Sequence, residues 1–275
     1  MMNDETTEPE KTIQTRSLPN NADPVVDYAT AASHPGLLRG NASLEIQTRQ
    51  AQRLVYGRKK SETKNHIIGL VRFGMNMKQI WSSASRDDPY ADWSLLQIEE
   101  ALNNTRKLIN NLRQETESKL ATAATGIQID IASSLEPIHV PLQFANAYGY
   151  MGAYLIADYD QLVCTILTAR HVGLIERRDS TRTLHQIAQR VRHAFALSGE
   201  WKFTLVTRSD IRNENPRAQR AIEKLSSMGE LPQVVFEGHQ RAQIAPEINT
   251  SDSSVSEMDD VTGVLPDNHV STETG

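Results

Sequence analysis

The 275-residue chain has one cysteine, Cys164. That excludes an internal disulfide framework and any all-cysteine zinc site. No apolar run approaches the roughly 20 residues that a membrane helix needs. The first residues are polar and acidic, with neither a basic n-region nor an apolar h-region, so no secretory signal is expected. These absences predict a cytoplasmic protein with no membrane partner.

Catalytic signatures are also lacking. Gly69 and Gly74 in "GLVRFGMN" have the spacing of a phosphate loop, but Met75 stands where the lysine must be, and the cradle is incomplete without that charge. There is no G-x-S-x-G elbow and no H-E-x-x-H. No two histidines are separated by a single residue, so the paired-histidine clamp of many DNA-nicking relaxases is missing. His185 and His193 lie eight apart on one predicted helix and read as solvated, not metal-bound. Asp158, Tyr159 and Asp160 read as a helix cap in preference to an acid pair, and Cys164 as a small core residue. No enzyme activity, cofactor or metal is expected.

The charge is what the chain does have. The formal total is −5, yet residues 39–86 carry +8 and residues 170–224 carry +6. Screening limits the reach of a charge to about 8 Å at physiological salt, so a basic block attracts a polyanion whatever the total. The densest cluster is "YGRKKSETK", Tyr56–Lys64, with Arg58, Lys59, Lys60 and Lys64 against Glu62 alone.

Residues 1–35 and 239–275 are predicted as disordered acidic tails, because their composition offers little to bury. Residues 36–238 form the predicted domain, in three parts. In the helical part, 43–122, Ser43 is predicted to cap a helix that sets Arg49 and Arg53 on one face and ends at Gly57, leaving the basic cluster as a loop. A second helix covers "NHIIGLVRFGMNMKQIWSSA", and "RDDPYAD" reads as a turn. A long helix then runs from about Trp93 to Leu120, with Leu95, Ile98, Leu102, Thr105, Ile109, Leu112 and Thr116 as its stripe. That stripe suits packing on its own domain or an intermolecular coiled coil.

In the second part, 126–198, alternation predicts strands at "TGIQIDIASS" and "PIHVPLQF". The latter exposes His139, Pro141 and Gln143, and Pro141 requires an open edge or a single partner. After a Gly/Tyr-rich link, Asp158 is predicted to cap a helix ending at Gly173. Ser180 or Thr181 caps another, with Leu184, Ile187, Val191 and Phe195 buried. The third part, 201–238, reads as strand, helix, strand, its helix capped by Asn215 with Pro216 at N1.

The fold class expected is therefore α+β, mostly helical, with a small C-terminal strand–helix–strand unit. A strand followed by two helices is also the order of a ribbon-helix-helix dimer, in which one strand from each chain forms a ribbon in the DNA major groove. The exposed readers would be His139 and Gln143, the latter able to bond an adenine edge. A phosphate would sit at Ser180, Thr181 and Arg182, below Arg177 and Arg178. Arg49, Arg53, Arg58, Lys59, Lys60 and Lys64 would grip the backbone. An ordinary α+β core strand is the alternative.

Three stretches, "RGNASLEIQTRQAQRLVYGRK", "GLVRFGMNMKQIWSSASRDDPYADWSLLQIEEAL" and "PLQFANAYGYMGAYLIADYDQLVCTILTARHVGLIERR", resemble the AcaB family of transcriptional regulators of conjugative plasmids and integrative conjugative elements. The resemblance covers about residues 35–200. It implies a DNA-binding regulator that switches on conjugative-transfer genes, and a ribbon-helix-helix fold. The expected partners are double-stranded promoter DNA, a second copy of the chain and RNA polymerase. The alternative function is an accessory or structural protein of the conjugation machinery that works through its long helix. A relaxase or nuclease is the third reading.

Overall fold

The structure is a computed structural model that describes residues 42–123 and 126–249. Their order is β1 (Ala42–Ile46), α1 (Arg49–Tyr56), α2 (Leu70–Ala84), α3 (Pro89–Ala123), β2 (Ile138–Leu142), α4 (Ala147–His171), α5 (Arg177–Leu197), α6 (Arg208–Arg212), α7 (Pro216–Lys224) and α8 (Gln233–Phe236). This is a mostly helical α+β protein.

The long helix α3 is the spine. Its predicted stripe faces inward: Leu95, Ile98 and Ile109 are fully buried, as are Leu102, Thr105 and Thr116 to within a few per cent, and Leu112 packs partly buried beside them. The partners that cover it are α2, α4 and α5 of the same chain. Each large apolar side chain so buried contributes about 1.5–3 kcal/mol. Phe73 of α2 stacks on Phe195 of α5 with ring centroids 4.7 Å apart, closing the core between those helices.

Helix α4 begins well before the predicted cap, at Asn146, whose side chain accepts from the Tyr148 N–H at 3.1 Å. The Gly/Tyr-rich stretch is thus helical, not a link. Its glycines serve packing. A Cβ at Gly149 would lie 2.6 Å from Phe144 Cβ, and one at Gly74 of α2 would lie 2.6 Å from the Phe144 ring. Phe144 therefore wedges between two helices that lack side chains there, and Gly74 belongs to this wedge. Asp158 sits in the helix interior and pairs with Arg106 of α3 at 2.6 Å. The predicted end is correct: Gly173 follows α4 with φ +82°, a conformation that favours glycine.

The first predicted helix is half strand. Ala42–Ile46 forms β1, and α1 starts after Thr48, whose hydroxyl accepts from the Ala51 N–H at 3.2 Å. Alternation explains the strand: Leu44 and Ile46 are buried, Ser43 and Glu45 exposed. β1 pairs antiparallel with β2, Ser43 opposite Pro141 and Glu45 opposite His139. Among the described residues β2 uses one edge only, which is how Pro141 is accommodated. The partner strand comes from the same chain, not from a second copy.

Three other predicted strands do not form. Residues 127–134 are extended but unpaired, held by bonds from the Ala132 N–H to Thr168 Oγ1 (2.9 Å) and from the Ser134 N–H to Gln47 Oε1 (2.8 Å). Residues 201–206 are irregular, and 233–236 are the short helix α8. In each stretch the apolar alternation meets no neighbouring strand among the described residues to complete a ladder. α7 is as predicted, capped by Asn215 with Pro216 in its first turn.

The C-terminal helices are fastened to the start of α3. Arg208 is buried and donates to Asp92 Oδ2 (2.7 Å), Asp87 Oδ1 (2.6 Å) and the carbonyls of Val235 and Phe236. Arg241 adds a two-pronged bond to Asp92, at 2.8 and 2.9 Å. Residues 239–249 lie against the body: the Gln243 N–H reaches Glu99 at 3.1 Å and the Asn249 N–H reaches the Ser85 carbonyl at 2.8 Å. Residues 1–35 and most of the predicted C-terminal tail lie outside the described residues. No helix among the described residues is long and apolar enough to cross a membrane.

Candidate nucleic-acid interface

The basic cluster is a loop, and the loop is pinched. Arg58 and Ile67 exchange both backbone bonds at 2.9 Å, and the Ser61 N–H donates to the Lys64 carbonyl at 3.0 Å. At the neck, Gly57 and Gly69 press backbone on backbone: a Cβ at Gly57 would lie 2.6 Å from the Gly69 nitrogen. Gly57 also has φ +65°, so it needs to be glycine twice over. The Arg58 guanidinium bonds the Asn65 carbonyl at 3.1 and 3.2 Å. Lys59, Lys60 and Lys64 are exposed, and none of the four cations forms an ion pair among the described residues.

A buried carboxylate aims the helix that carries this loop. Asp160, in the middle of α4, accepts from the Gln47 N–H (2.6 Å), the Thr48 N–H (3.0 Å) and the Thr48 hydroxyl (2.5 Å). Burial raises its pKa, and these bonds oppose the rise. Arg49 and Arg53 stand exposed on the α1 so fixed, four residues apart and so on one helix face.

Helix α5 begins at Arg177, after Glu176, so Arg177 and Arg178 form its first turn. Neither Ser180 nor Thr181 caps it. Both hydroxyls bond back to the Arg177 carbonyl, at 2.9 and 2.8 Å, the usual habit of these residues inside a helix. Ser180 is buried, and Glu176 and Asp179 already place negative charge at this helix start. The predicted phosphate seat is therefore reduced to Arg177, Arg178 and Arg182, all exposed. Ser198, just past the far end of α5, accepts from Asn76 of α2 at 3.1 Å. At about 1.5 Å per residue, the start of α5 lies about 30 Å along the helix from that end. The predicted cations thus form two groups, one at the start of α5 and one at the loop, with α1 packed against α5.

His139, opposite Glu45 in the ribbon, and Gln143, one residue past the end of β2, are both exposed. Basic residues that sequence reasoning passed over come together in two clefts. Arg72, His66 and Lys202 line one cleft, and Arg217, Arg220 and Lys224 line another. Arg217, Arg220 and Lys224 share one face of α7, whereas Arg72 and Lys202 are too far apart in sequence for any local pattern to join them.

Burial resolves the conflict between acidic total and basic loop. Residues 42–249 carry +4, and the segments on either side carry −3 and −6. Within 42–249, Asp88, Asp92, Glu99 and Asp160 are buried against one buried cation, Arg208. The exposed charge of this region is thus more positive than its formal sum by three.

The described residues thus form a helical scaffold that carries exposed cations and a small antiparallel ribbon. The family described as transcriptional regulator AcaB matches residues 34–249, so the chain belongs to the AcaB family of transcriptional regulators. Among solved structures it is similar to selenomethionine-containing AcaB from uropathogenic E. coli, at 13% identity and a TM-score of 0.49, over 70% of this chain and 92% of that one. No curated protein matches it.

Proposed function

We propose that the protein is a sequence-specific DNA-binding regulator that activates conjugative-transfer genes. The observation that carries this reading is the exposed cluster of cations on the basic loop, α1 and α5, with Glu62 the only acid in the loop, while Asp88, Asp92, Glu99 and Asp160 are buried in the core. Arg49, Arg53, Arg58, Lys59, Lys60 and Lys64 would hold the phosphate backbone, joined by Arg177, Arg178 and Arg182.

β2, α4 and α5 follow in ribbon-helix-helix order, with only a short link, residues 143–146, between strand and helix. In this reading the β1–β2 ribbon enters the major groove, where Gln143 bonds an adenine edge and His139 lies beside Glu45. A second copy of the chain would complete a two-fold operator. Its contact surface is drawn from Ile127, Leu135 and Ile138, which are large, apolar and exposed. The acidic ends would stay clear of DNA and meet RNA polymerase. Cytoplasmic placement follows from this role. The accessory-protein reading works through the α3 stripe, and that stripe is covered by the chain itself.

Footprinting of the purified protein on DNA upstream of transfer-gene promoters, repeated over a salt series, tests the proposal. A discrete footprint whose affinity falls with salt, at a log–log slope of about −0.9 for each phosphate neutralised, is the result expected. Absence of any footprint at low salt overturns it.

A further inference from the structure

The two basic clefts meet at one exposed ring. His66, Arg72 and Lys202 line the first, of about 310 Å³, and Arg217, Arg220 and Lys224 line the second, of about 390 Å³. Phe203 belongs to both. Among the described residues, no carboxylate lines either cleft. Asp210 approaches one member, Arg217, at 3.7 Å.

The segment is shaped to present this ring. Trp201 and Val206 are buried at its ends, whereas Phe203 is 46% and Leu205 49% exposed. Leu205 holds φ +56°, a left-handed conformation that L side chains rarely adopt. Backbone strain of this kind persists only where its surroundings hold it. Here the Lys224 ammonium bonds the Phe203 carbonyl at 2.8 Å, and Trp201 meets Phe203 edge-on at 6.2 Å. The ring is thus held by its neighbours and stays largely open to solvent.

We propose that the two clefts meeting at Phe203 form a binding track for single-stranded nucleic acid, with phosphates held by the cations on each side and a base stacked on the Phe203 ring. An aromatic platform inside a cationic groove is the arrangement that holds unpaired strands without regard to sequence. The proposal is independent of the duplex reading, which uses the basic loop, α1, α5 and the ribbon.

The test is fluorescence anisotropy of the full chain with a labelled oligothymidylate of about 15 nucleotides, and in parallel with a random-sequence duplex. Phe203→Ala should weaken oligothymidylate binding by roughly ten-fold and leave duplex binding unchanged. Phe203→Trp should restore it, and Arg72→Ala with Lys202→Ala should flatten the salt dependence. Phe203 is exposed, so these variants keep the core. Binding by Phe203→Ala equal to that of the parent, or no oligothymidylate binding by the parent at low salt, overturns the proposal. Loss of duplex binding with oligothymidylate binding intact would defeat the operator reading and leave this one standing.

Discussion

The Arg208 guanidinium donates to the Asp92 carboxylate at 2.7 Å, with both side chains shut away from solvent. Two residues far apart in sequence thus join the C-terminal helices to the first turn of α3. Arg208→Ala takes the donor from Asp87 and from the Val235 and Phe236 carbonyls, while Asp92 keeps Arg241. It is expected to lower stability by about 1–3 kcal/mol for each buried acceptor left unpaired, read by urea denaturation. If Arg208→Ala unfolds at the parent's urea midpoint, this pair is not a fastening.

Asp88 makes the protein's stability depend on pH. It caps α3, accepting from the Tyr90 and Ala91 N–H groups at 2.9 and 3.1 Å, and burial pushes its pKa up to about 7. The folded state therefore holds a proton that the unfolded chain releases near pH 4. The resulting stability is complete below about pH 4 and is lost as pH rises towards about 7. The slope from this group is up to about 1.4 kcal/mol per pH unit. Asp88→Asn keeps an acceptor for the cap and removes the proton. The difference in unfolding free energy between parent and variant should change across that window and be flat above it.

Asp160→Ala should free the start of α1. It deletes the acceptor of three bonds at a buried joint, at a cost of about 1–3 kcal/mol for each donor left unpaired. Trypsin should then cut the Arg58–Lys64 loop faster in native conditions. An unchanged cleavage rate would show that the loop's placement does not depend on this carboxylate.

Backbone grip and base reading should separate by mutation. Arg58→Ala, Lys59→Ala and Lys60→Ala together are expected to weaken all duplexes alike and to reduce the salt slope by up to about 0.9 for each phosphate no longer neutralised. Gln143→Ala should relax preference at one or two base pairs, by about 1–3 kcal/mol each. Gel-shift titration with specific and random DNA reads both. Equal weakening on the two DNAs for Gln143→Ala would remove the ribbon from the base-reading role.

What could be read from residue order alone was what depends on near neighbours. The α3 stripe, the Asn215–Pro216 helix start, the glycine after α4 and the loop at Arg58–Lys64 are all local. The misreadings share one cause, the absent knowledge of what stands opposite. Gly149 and Gly152 weaken a helix pattern, and only the Phe144 and Phe73 rings pressing on them explain the helix. Ile127, Ile129 and Ile131 alternate without a strand to pair with. Asp160 does serve a helix start, as a carboxylate there suggested, but that of α1. The string "DDPYADW", part of the family resemblance, proves architectural: it holds the cap of α3 and the anchor for Arg208 and Arg241.

The neck formed by Gly57 and Gly69 has a consequence for how this protein can change. A loop tied at its base isolates its tip from the core, so chain inserted between Glu62 and Thr63 adds only about 0.6 kcal/mol for each doubling of loop length. Reach and charge at the tip are then free to vary among descendants without rebuilding the helices beneath. The two glycines are the fixed mount, and the lysines are the exchangeable tool.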